Sequence, residues 1–214
     1  MTVAGLEAQD VTFAYARLQP VLRGWSAQFT PGTMTAVTGR SGVGKSTVLY
    51  LLGLMLRPTT GRVLVDGRPT DTMSDAGRAR LRARSFGFVF QDAALDETRT
   101  VLDNVAETVL YRGESSRKAH DRALDLLDQF GVDVPANRKP GQVSGGQAQR
   151  IALCRALLGR PQFVLADEPT GNLDAATSKL VVGALRQQAD DGATVVVVTH
   201  AADVATACDR SIQL

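Results

Sequence analysis

Gly39-Arg40-Ser41-Gly42-Val43-Gly44-Lys45-Ser46 decides the fold, because two glycines five positions apart are followed directly by Lys and Ser. This spacing is the pattern of a phosphate-binding loop. Residues 34–38 before the loop are β-prone, and residues 47–52 after it favour a helix. The loop is therefore predicted to lie between a strand and a helix, which is the context that the pattern requires.

The residue types in this loop suit a polyphosphate ligand. Backbone N–H groups approach phosphate closely when Gly39, Gly42 and Gly44 carry no side chain, and the helix N-terminus behind them adds partial positive charge. Lys45 is expected to direct its charge at the β and γ phosphates, and the Ser46 hydroxyl to ligate Mg²⁺. The alternative is a glycine-rich turn that matches by chance.

Length and composition restrict the class of protein. A chain of 214 residues suits one sizeable α/β domain. It contains no apolar stretch of membrane-spanning length and no signal-peptide core, so we expect a soluble chain. Cys154 and Cys208 lack metal-ligand spacing, which suits reduced structural thiols. The net charge of +2 gives no reason to expect a nucleic-acid partner. The arginines at 78–84 are interpreted as a solvated helix face.

Strand and helix signals predict the architecture. Residues 6–13 and 26–29 alternate as in an antiparallel sheet, whereas residues 195–198 form an apolar run typical of a strand buried on both faces. Residues 92–142 show helical spacing instead. We predict an α/β, phosphate-loop NTPase (RecA-like) fold, with a mostly parallel core, a small antiparallel β subdomain and an inserted helical subdomain.

Capping signals mark where several of these helices begin. Ser74 is expected to cap a short helix that carries the arginine run, and Thr100 with Asp103 to open the first helix of the insertion. Ser116 is expected to cap the second.

The single domain at 1–214 is predicted to divide into three parts. The antiparallel subdomain takes about 1–33 and 59–70, the helical subdomain about 92–158, and the nucleotide-binding core the remainder.

Two adjacent carboxylates follow the apolar run 163–166. Asp167 is predicted to hold Mg²⁺ and Glu168 to polarise the attacking water, since one carboxylate is committed to the metal while the other must stay free to act as a base. The alternative for the pair alone is an ordinary acidic turn after a strand.

A second helix start carries the residues of an anion site. Val143-Ser144-Gly145-Gly146-Gln147 precedes a helix predicted over 148–158. Because one chain cannot easily offer one γ-phosphate to both loops, we predict that two subunits pair head to tail, with Ser144 donating to the nucleotide held by the partner. The alternative is a capped helix start without a ligand.

These motifs together resemble the nucleotide-binding subunit of an ABC transporter. The shared motifs occur in the family's order: GRSGVGKS, Gln91 in FVFQ, VSGGQ, FVLADE, Gly171-Asn172-Leu173-Asp174, and Thr199-His200. Local similarity in LRARSFGFVFQ and ADEPTGNLD narrows the resemblance to the lipoprotein-release, macrolide-efflux and cell-division ATPases.

The resemblance implies roles for further residues. Tyr15 would stack on adenine, Gln91 would touch Mg²⁺ and water and report to a permease, His200 would contact the γ-phosphate, and Asp174 would bridge the subunits. The site implied in full comprises catalytic Glu168, His200 and Gln91, metal ligands Ser46, Gln91 and Asp167, and ATP contacts Tyr15, Gly39, Arg40, Ser41, Gly42, Val43, Gly44, Lys45, Ser46, Thr47, Ser144, Gly145, Gly146, Gln147 and Asp174. On its own, His200 could equally be a satisfied surface residue after a buried strand.

The implied function is a cytoplasmic ATPase subunit that binds ATP and Mg²⁺ and drives a membrane permease from the membrane's cytoplasmic face. It would pair with a second copy of itself or with a paralogous ATPase subunit, and no nucleic acid is expected. The alternative is an ATP-dependent regulatory subunit that docks to a membrane partner without moving a substrate. A repair or translation factor of the superfamily would usually add a second cassette or a coiled-coil insertion, which this sequence lacks.

Three departures from the family pattern stand out. Val143 replaces the usual Leu of the signature, which should be tolerated as an apolar exchange. Ala201 follows His200 where Asp is common, so looser contacts near the γ-phosphate are expected. The sequence ends at Leu214, where related subunits continue, so part of the usual C-terminal packing is expected to be missing.

Overall fold

The computed structural model describes residues 5–16, 19–171 and 173–214. Residues 1–4, 17 and 18 of the predicted antiparallel subdomain, and Asn172 of the predicted 171–174 loop, lie outside the described residues. The strands are β1 Leu6–Phe13, β2 Leu22–Phe29, β3 Thr33–Thr38, β4 Thr60–Val65, β5 Arg68–Pro69, β6 Phe86–Val89, β7 Phe163–Asp167, β8 Thr194–Val198 and β9 Arg210–Gln213. The helices are α1 Lys45–Leu52, α2 Asp75–Ser85, α3 Val101–Leu110, α4 Ser116–Gln129, α5 Gly145–Leu157, α6 Ala175–Asp190 and α7 Ala202–Thr206, with a 3₁₀ turn at Pro140–Gln142.

Two sheets organise the chain. One is antiparallel with strand order β2-β1-β4-β5, and the other has the order β6-β7-β8-β3-β9 with every neighbouring pair parallel. The predicted α/β class with a small antiparallel sheet is confirmed. The pairing of β9 with β3 was not predicted, because RSIQ is a short and mostly exposed strand without an apolar run.

The parallel sheet has a separate core on each face. Val195 and Val197 of β8 point into the cluster formed with helices α3 to α6, whereas Val196 and Val198 pack with α1 and the antiparallel sheet. This alternation follows from the period of two along a strand. Both faces are covered, which explains why TVVVV lacks any polar side chain after its first residue.

Several predicted element boundaries were wrong. Strand β2 begins at Leu22 rather than 26, and α5 begins at Gly145 rather than 148. The cap of α4 is Ser115, whose hydroxyl accepts from the Lys118 N–H at 3.4 Å, and not Ser116. The other two caps, Ser74 and Thr100, are confirmed because each side chain accepts a hydrogen bond from a backbone N–H of the first turn.

The arginine run on α2 is only half solvated, so its interpretation as an exposed face was wrong. Arg80 and Arg84 are exposed. Arg78 is buried and donates to the Leu56 carbonyl, and the half-buried Arg82 donates to the Leu54 carbonyl at 2.7 Å. These two guanidinium groups fasten α2 to the turn that follows α1.

Both cysteines are free thiols held in packed surroundings. Cys154 is buried and Cys208 is partly buried. Burial raises the pKa of Cys154 to about 12 and that of Cys208 to about 11, because the thiolate would lose its hydration. The expected structural role of these residues agrees with this packing.

Candidate functional site

The register of the parallel sheet brings the predicted motifs to one edge. Val37 of β3 pairs with Val198 of β8, which pairs with Asp167 of β7. One row earlier, Ala166 pairs with Val89 of β6. The phosphate loop, the two carboxylates, Thr199-His200 and Gln91 therefore all follow strands at the same carboxyl edge, where ligands bind in open α/β sheets.

The phosphate loop enters α1 through a left-handed glycine. Gly44 is the N-cap with φ 109°, and no side chain caps the helix. A Cβ built at Gly44 would lie 2.5 Å from Cγ1 of Val21, so both conformation and space require glycine here. The N–H groups of the first turn have no helical acceptor and remain available to an anion.

Lys45 lies over the loop that precedes it. Its side chain is largely buried, and Nζ donates to the carbonyls of Gly39 at 3.1 Å and Arg40 at 3.2 Å. No carboxylate lies within ion-pair distance of Lys45 in the part of the chain that the structure describes. Its positive charge is therefore positioned beside the loop without a fixed counter-charge.

Asp167 fits a cation site. Asp167 is 5% exposed, Ser46 lies close enough to influence its pKa, and its Oδ1 is buried without a hydrogen-bond partner among the described residues. Burial raises the pKa of the Asp167 carboxyl, the Glu168 charge adds to the rise, and Ser46 and Lys45 oppose it. An unpartnered buried carboxylate oxygen beside a hydroxyl matches the oxygen ligands that Mg²⁺ takes.

The site does not contain an all-protein metal cage. Within residues 5–16, 19–171 and 173–214, no group of three or more His, Cys, Asp or Glu side chains converges. Mg²⁺ typically keeps waters and substrate phosphates in its shell, so one carboxylate and one hydroxyl suit it better than they suit a structural metal.

Glu168 is held in an unusual backbone conformation beside His200. Its φ is 44°, in the left-handed region. Its Oε1 lies 2.6 Å from Nδ1 of His200, and its Oε2 accepts from the Thr199 hydroxyl at 3.1 Å. The His200 side chain is 71% exposed while the Glu168 side chain is 11% exposed. The pair thus places a carboxylate at the base of the site and a ring on its solvent side.

The Ser144 end of α5 is a complete helix cap in this chain. The Ser144 hydroxyl accepts from the Gln147 N–H at 3.3 Å, and the Gln147 side chain accepts from the Ser144 N–H at 2.8 Å. A Cβ at Gly145 or Gly146 would meet nothing within 4 Å, and neither has a positive φ. Nothing within the described chain requires glycine at these two exposed or half-buried positions.

Asp174 also acts as a helix cap. Its Oδ1 accepts from the N–H groups of Ala176 and Thr177, both at 2.9 Å, and its Oδ2 accepts from the Thr177 hydroxyl at 2.7 Å. The hydrogen bonds from Thr177 lower the pKa of the Asp174 carboxyl. A bridge from Asp174 to a second subunit remains a prediction.

Tyr15 lies beside α1 and is 42% exposed. Its hydroxyl is 3.1 Å from Oγ1 of Thr47, and the Phe13 ring packs at right angles to it at 4.8 Å. These contacts fix an aromatic ring next to the phosphate loop. Stacking of Tyr15 on adenine remains a prediction.

A cleft of about 180 Å³ joins three of the predicted motifs. Gln91, Gly145 and Glu168 line it, and so does Gln149, a buried polar residue that the sequence analysis did not single out. Gln149 follows the signature by two residues, and its position inside an otherwise apolar helix face was the signal that could have identified it.

Fold and site together define a phosphate-loop ATPase with a helix-borne signature. A profile of the ABC transporter family matches residues 22–171. The chain belongs to this family and is one of its ATP-binding, ATP-hydrolysing subunits.

Individual relatives agree with this assignment. The lipoprotein-releasing system ATP-binding protein LolD 2 of Caulobacter vibrioides is 42% identical over 196 residues, covering 91% of this chain and 86% of that protein. The macrolide export ATP-binding/permease protein MacB of Brucella abortus is 41% identical over 91% of this chain, but the match spans only 30% of MacB.

A solved structure confirms the fold. The ATP-binding cassette MJ0796, as a dimer in a post-hydrolysis state bound to ADP and phosphate, superposes with a TM-score of 0.91 at 34% identity. The match covers 98% of this chain and 94% of that chain. Across the described residues of the present chain, no helix is both long and apolar enough to cross a bilayer.

Proposed function

We propose that two copies of this chain, or one copy and a paralogous subunit, close head to tail around two ATP molecules and drive a membrane permease of the lipoprotein-release or efflux type. The observation that carries this proposal is the signature end of α5. Gly145 and Gly146 are open and conformationally ordinary, so their lack of side chains is explained by the close approach of a ligand from another subunit. Ser144 makes no hydrogen bond to its own phosphate loop in the described residues.

The phosphate-loop half of the site binds the nucleotide in this proposal. Lys45 exchanges its bonds to the loop carbonyls for the β and γ phosphates, and the first N–H groups of α1 take the remaining phosphate oxygens. Ser46, Asp167 and Gln91 would hold Mg²⁺, which neutralises charge on the phosphates when bound. The Tyr15 ring would take the adenine.

Hydrolysis depends on the Glu168 carboxylate. Its hydrogen bonds with Thr199 and His200 orient both oxygens, so the carboxylate is positioned to accept a proton from the attacking water. The exposed part of the His200 ring, away from its bond to Glu168, would contact the γ-phosphate when the second subunit arrives. Loss of the γ-phosphate removes contacts that favour the closed dimer, and the subunits separate.

The permease is expected to dock beside the Gln91 loop. A groove of about 320 Å³ lies there, lined by Phe86, Phe88, Phe90 and Tyr111, and the Tyr111 side chain is 69% exposed. An exposed aromatic at the edge of a concave apolar surface is typical of a protein contact. Docking here would hold the subunit at the cytoplasmic face of the membrane, next to a loop that reaches the nucleotide.

Two variants test the composite site. Glu168→Gln keeps the shape of the side chain but cannot act as a base, so ATP-loaded protein should accumulate as a dimer with turnover lowered by about a hundredfold or more. Ser144→Arg places a bulky cation where the partner's nucleotide must fit, so ATP should bind while the protein stays monomeric. Light scattering with ATP and with ADP measures both effects.

Ser144→Ala serves as the matched control for the arginine variant. It removes the cap, which costs about 1 kcal/mol, but adds no bulk, so dimer formation should be affected much less. Parent-level hydrolysis by Glu168→Gln, or unimpaired dimer formation by Ser144→Arg, would refute the head-to-tail mechanism.

A further inference from the structure

Gln149 is a buried polar side chain in the middle of α5. It is 5% exposed, and its Nε2 donates to the Phe90 carbonyl at 3.0 Å and to the Pro169 carbonyl at 3.5 Å. A side-chain amide has two N–H hydrogens, and two backbone carbonyls from distant parts of the chain lie within hydrogen-bond distance of this nitrogen. The two acceptors are 79 positions apart in sequence, since 169 minus 90 is 79.

Both carbonyls belong to residues next to predicted site residues. Phe90 directly precedes Gln91, and Pro169 directly follows Glu168. Gln149 itself lies two residues after the signature. One amide nitrogen therefore ties together the Gln91 loop, the Glu168 segment and the signature helix, and all three line the same 180 Å³ cleft.

A second side chain of α5 holds only the Gln91 loop. Arg155 donates to the Ala93 and Ala94 carbonyls, both at 2.7 Å. The loop is thus fastened to α5 on both sides of Gln91, by Gln149 before it and by Arg155 after it. Among the described hydrogen bonds, Gln149 alone extends this attachment from α5 to the Glu168 segment.

The Glu168 segment depends on such an attachment because its backbone is strained. Glu168 has φ 44°, and its N–H donates to the Val198 carbonyl at 2.8 Å, which fixes one side of the segment to β8. Gln149 fixes the other side through Pro169. A residue in the left-handed region persists when its surroundings determine it from several directions.

We infer that Gln149 is a positioning residue that sets the placement of the Glu168 carboxylate relative to the Gln91 loop and the signature helix. This inference rests on the proposed function, in which Glu168 orients the attacking water. When α5 moves, Gln149 transmits the movement to Glu168 and Gln91 together. Hydrolysis is thereby linked to the position of the signature helix, while the phosphate loop, which shares no described hydrogen bond with Gln149, keeps its affinity for ATP.

Gln149→Met tests the inference on the purified protein. Met fills a similar volume but donates no hydrogen bond, so both carbonyls lose their partner and the Glu168 segment is released. Because small misplacements of a catalytic group slow the chemical step strongly, kcat should fall by at least about tenfold while KM for ATP stays within about twofold. Steady-state ATPase assays give kcat and KM, and calorimetric titration gives the ATP affinity.

Two further variants keep the test decisive. Gln149→Asn retains a buried amide, which protects folding, but it is too short to reach both carbonyls, so kcat should again fall with KM preserved. Gln162→Met is the matched control, since the exposed Gln162 donates to the partly buried Asp66 carboxylate at 2.8 Å, before the start of β7 and away from the site. It should leave both kcat and KM unchanged.

The outcomes separate this inference from the proposed function. If the parent hydrolyses ATP and both Gln149 variants keep its kcat, the positioning role is refuted. If kcat and ATP affinity fall together with the melting temperature, Gln149 contributes packing only, and the inference is also refuted. A parent without ATPase activity would refute the proposed function itself.

Discussion

The two anion-site helix ends, at α1 and at α5, are built in opposite ways. Helix α1 begins at a left-handed Gly44 without a side-chain cap, and its loop is crowded by Val21 and crossed by Lys45. Helix α5 begins at Ser144 with a regular capping box, and its glycines have space around them.

This difference in structure indicates why glycine occurs at each of the two helix ends. At Gly44 the chain's own backbone and packing require it, so the phosphate loop is shaped from within. At Gly145 the chain imposes no such requirement, and in the proposed dimer the constraint comes from the nucleotide that approaches this helix end. Single substitutions at the α1 end and at the α5 end test whether glycine has these two different roles.

The largest difference is expected from Lys45→Ala. Nζ carries a full positive charge beside the loop, and hydrogen bonds to charged groups contribute about 1.5–3 kcal/mol, which corresponds to roughly a tenfold to hundredfold loss of ATP affinity. Calorimetry with ATP measures the loss, and melting curves without nucleotide check that the variant is folded. An unchanged dissociation constant would contradict the phosphate assignment.

Alanine variants of Gly44 and Gly145 test the comparison of the two helix ends through the stability of the fold. Gly44→Ala should lower the free energy of unfolding by about 1–2 kcal/mol, because an alanine at φ 109° is strained and its Cβ would clash with Val21. Gly145→Ala should leave that free energy unchanged or raise it by up to about 0.5 kcal/mol, because alanine favours the helix. Urea unfolding without nucleotide measures both.

The glycine variant that is more stable is expected to be the one that fails to form the dimer. Gly145→Ala, the more stable variant, is expected to lose ATP-dependent dimerisation in the Glu168→Gln background. If Gly145→Ala dimerised as well as Glu168→Gln alone, the open space at this helix end would have no functional meaning.

The smallest effect is expected from Asp167→Asn in the absence of nucleotide. The folded-state pKa of Asp167 is raised by burial, so the parent loses stability as pH rises from the unfolded value of 3.8 through the folded value. The Asn variant lacks this loss and should melt slightly higher than the parent at neutral pH. The difference should vanish toward pH 4. An Asn variant that melts below the parent at pH 7 would contradict the burial argument.

Much of the architecture follows from local sequence signals. The run at 195–198 predicted a strand buried on both faces, and Ser74 and Thr100 predicted two helix starts, because each signal acts over a few neighbouring residues. The meeting of the phosphate loop with Asp167 and Glu168 was also predictable, since parallel strands share a carboxyl edge.

Features that depend on distant partners were not predictable. Arg78 and Arg82 resemble solvated charges in sequence, and only the turn after α1 supplies the carbonyls that draw them inward. Strand β9 is defined by β3 rather than by its own residues. Gln149 depends on Phe90 and Pro169, which become neighbours only in the folded chain.

The packed thiols have a practical consequence. With pKa values of about 12 for Cys154 and about 11 for Cys208, almost no thiolate is present at neutral pH, and thiolate is the form that reacts with alkylating probes. The native protein therefore offers a low labelling background. A single cysteine introduced on an exposed loop could carry a fluorophore or spin label, and subunit separation could be followed by spectroscopy without first removing the natural thiols.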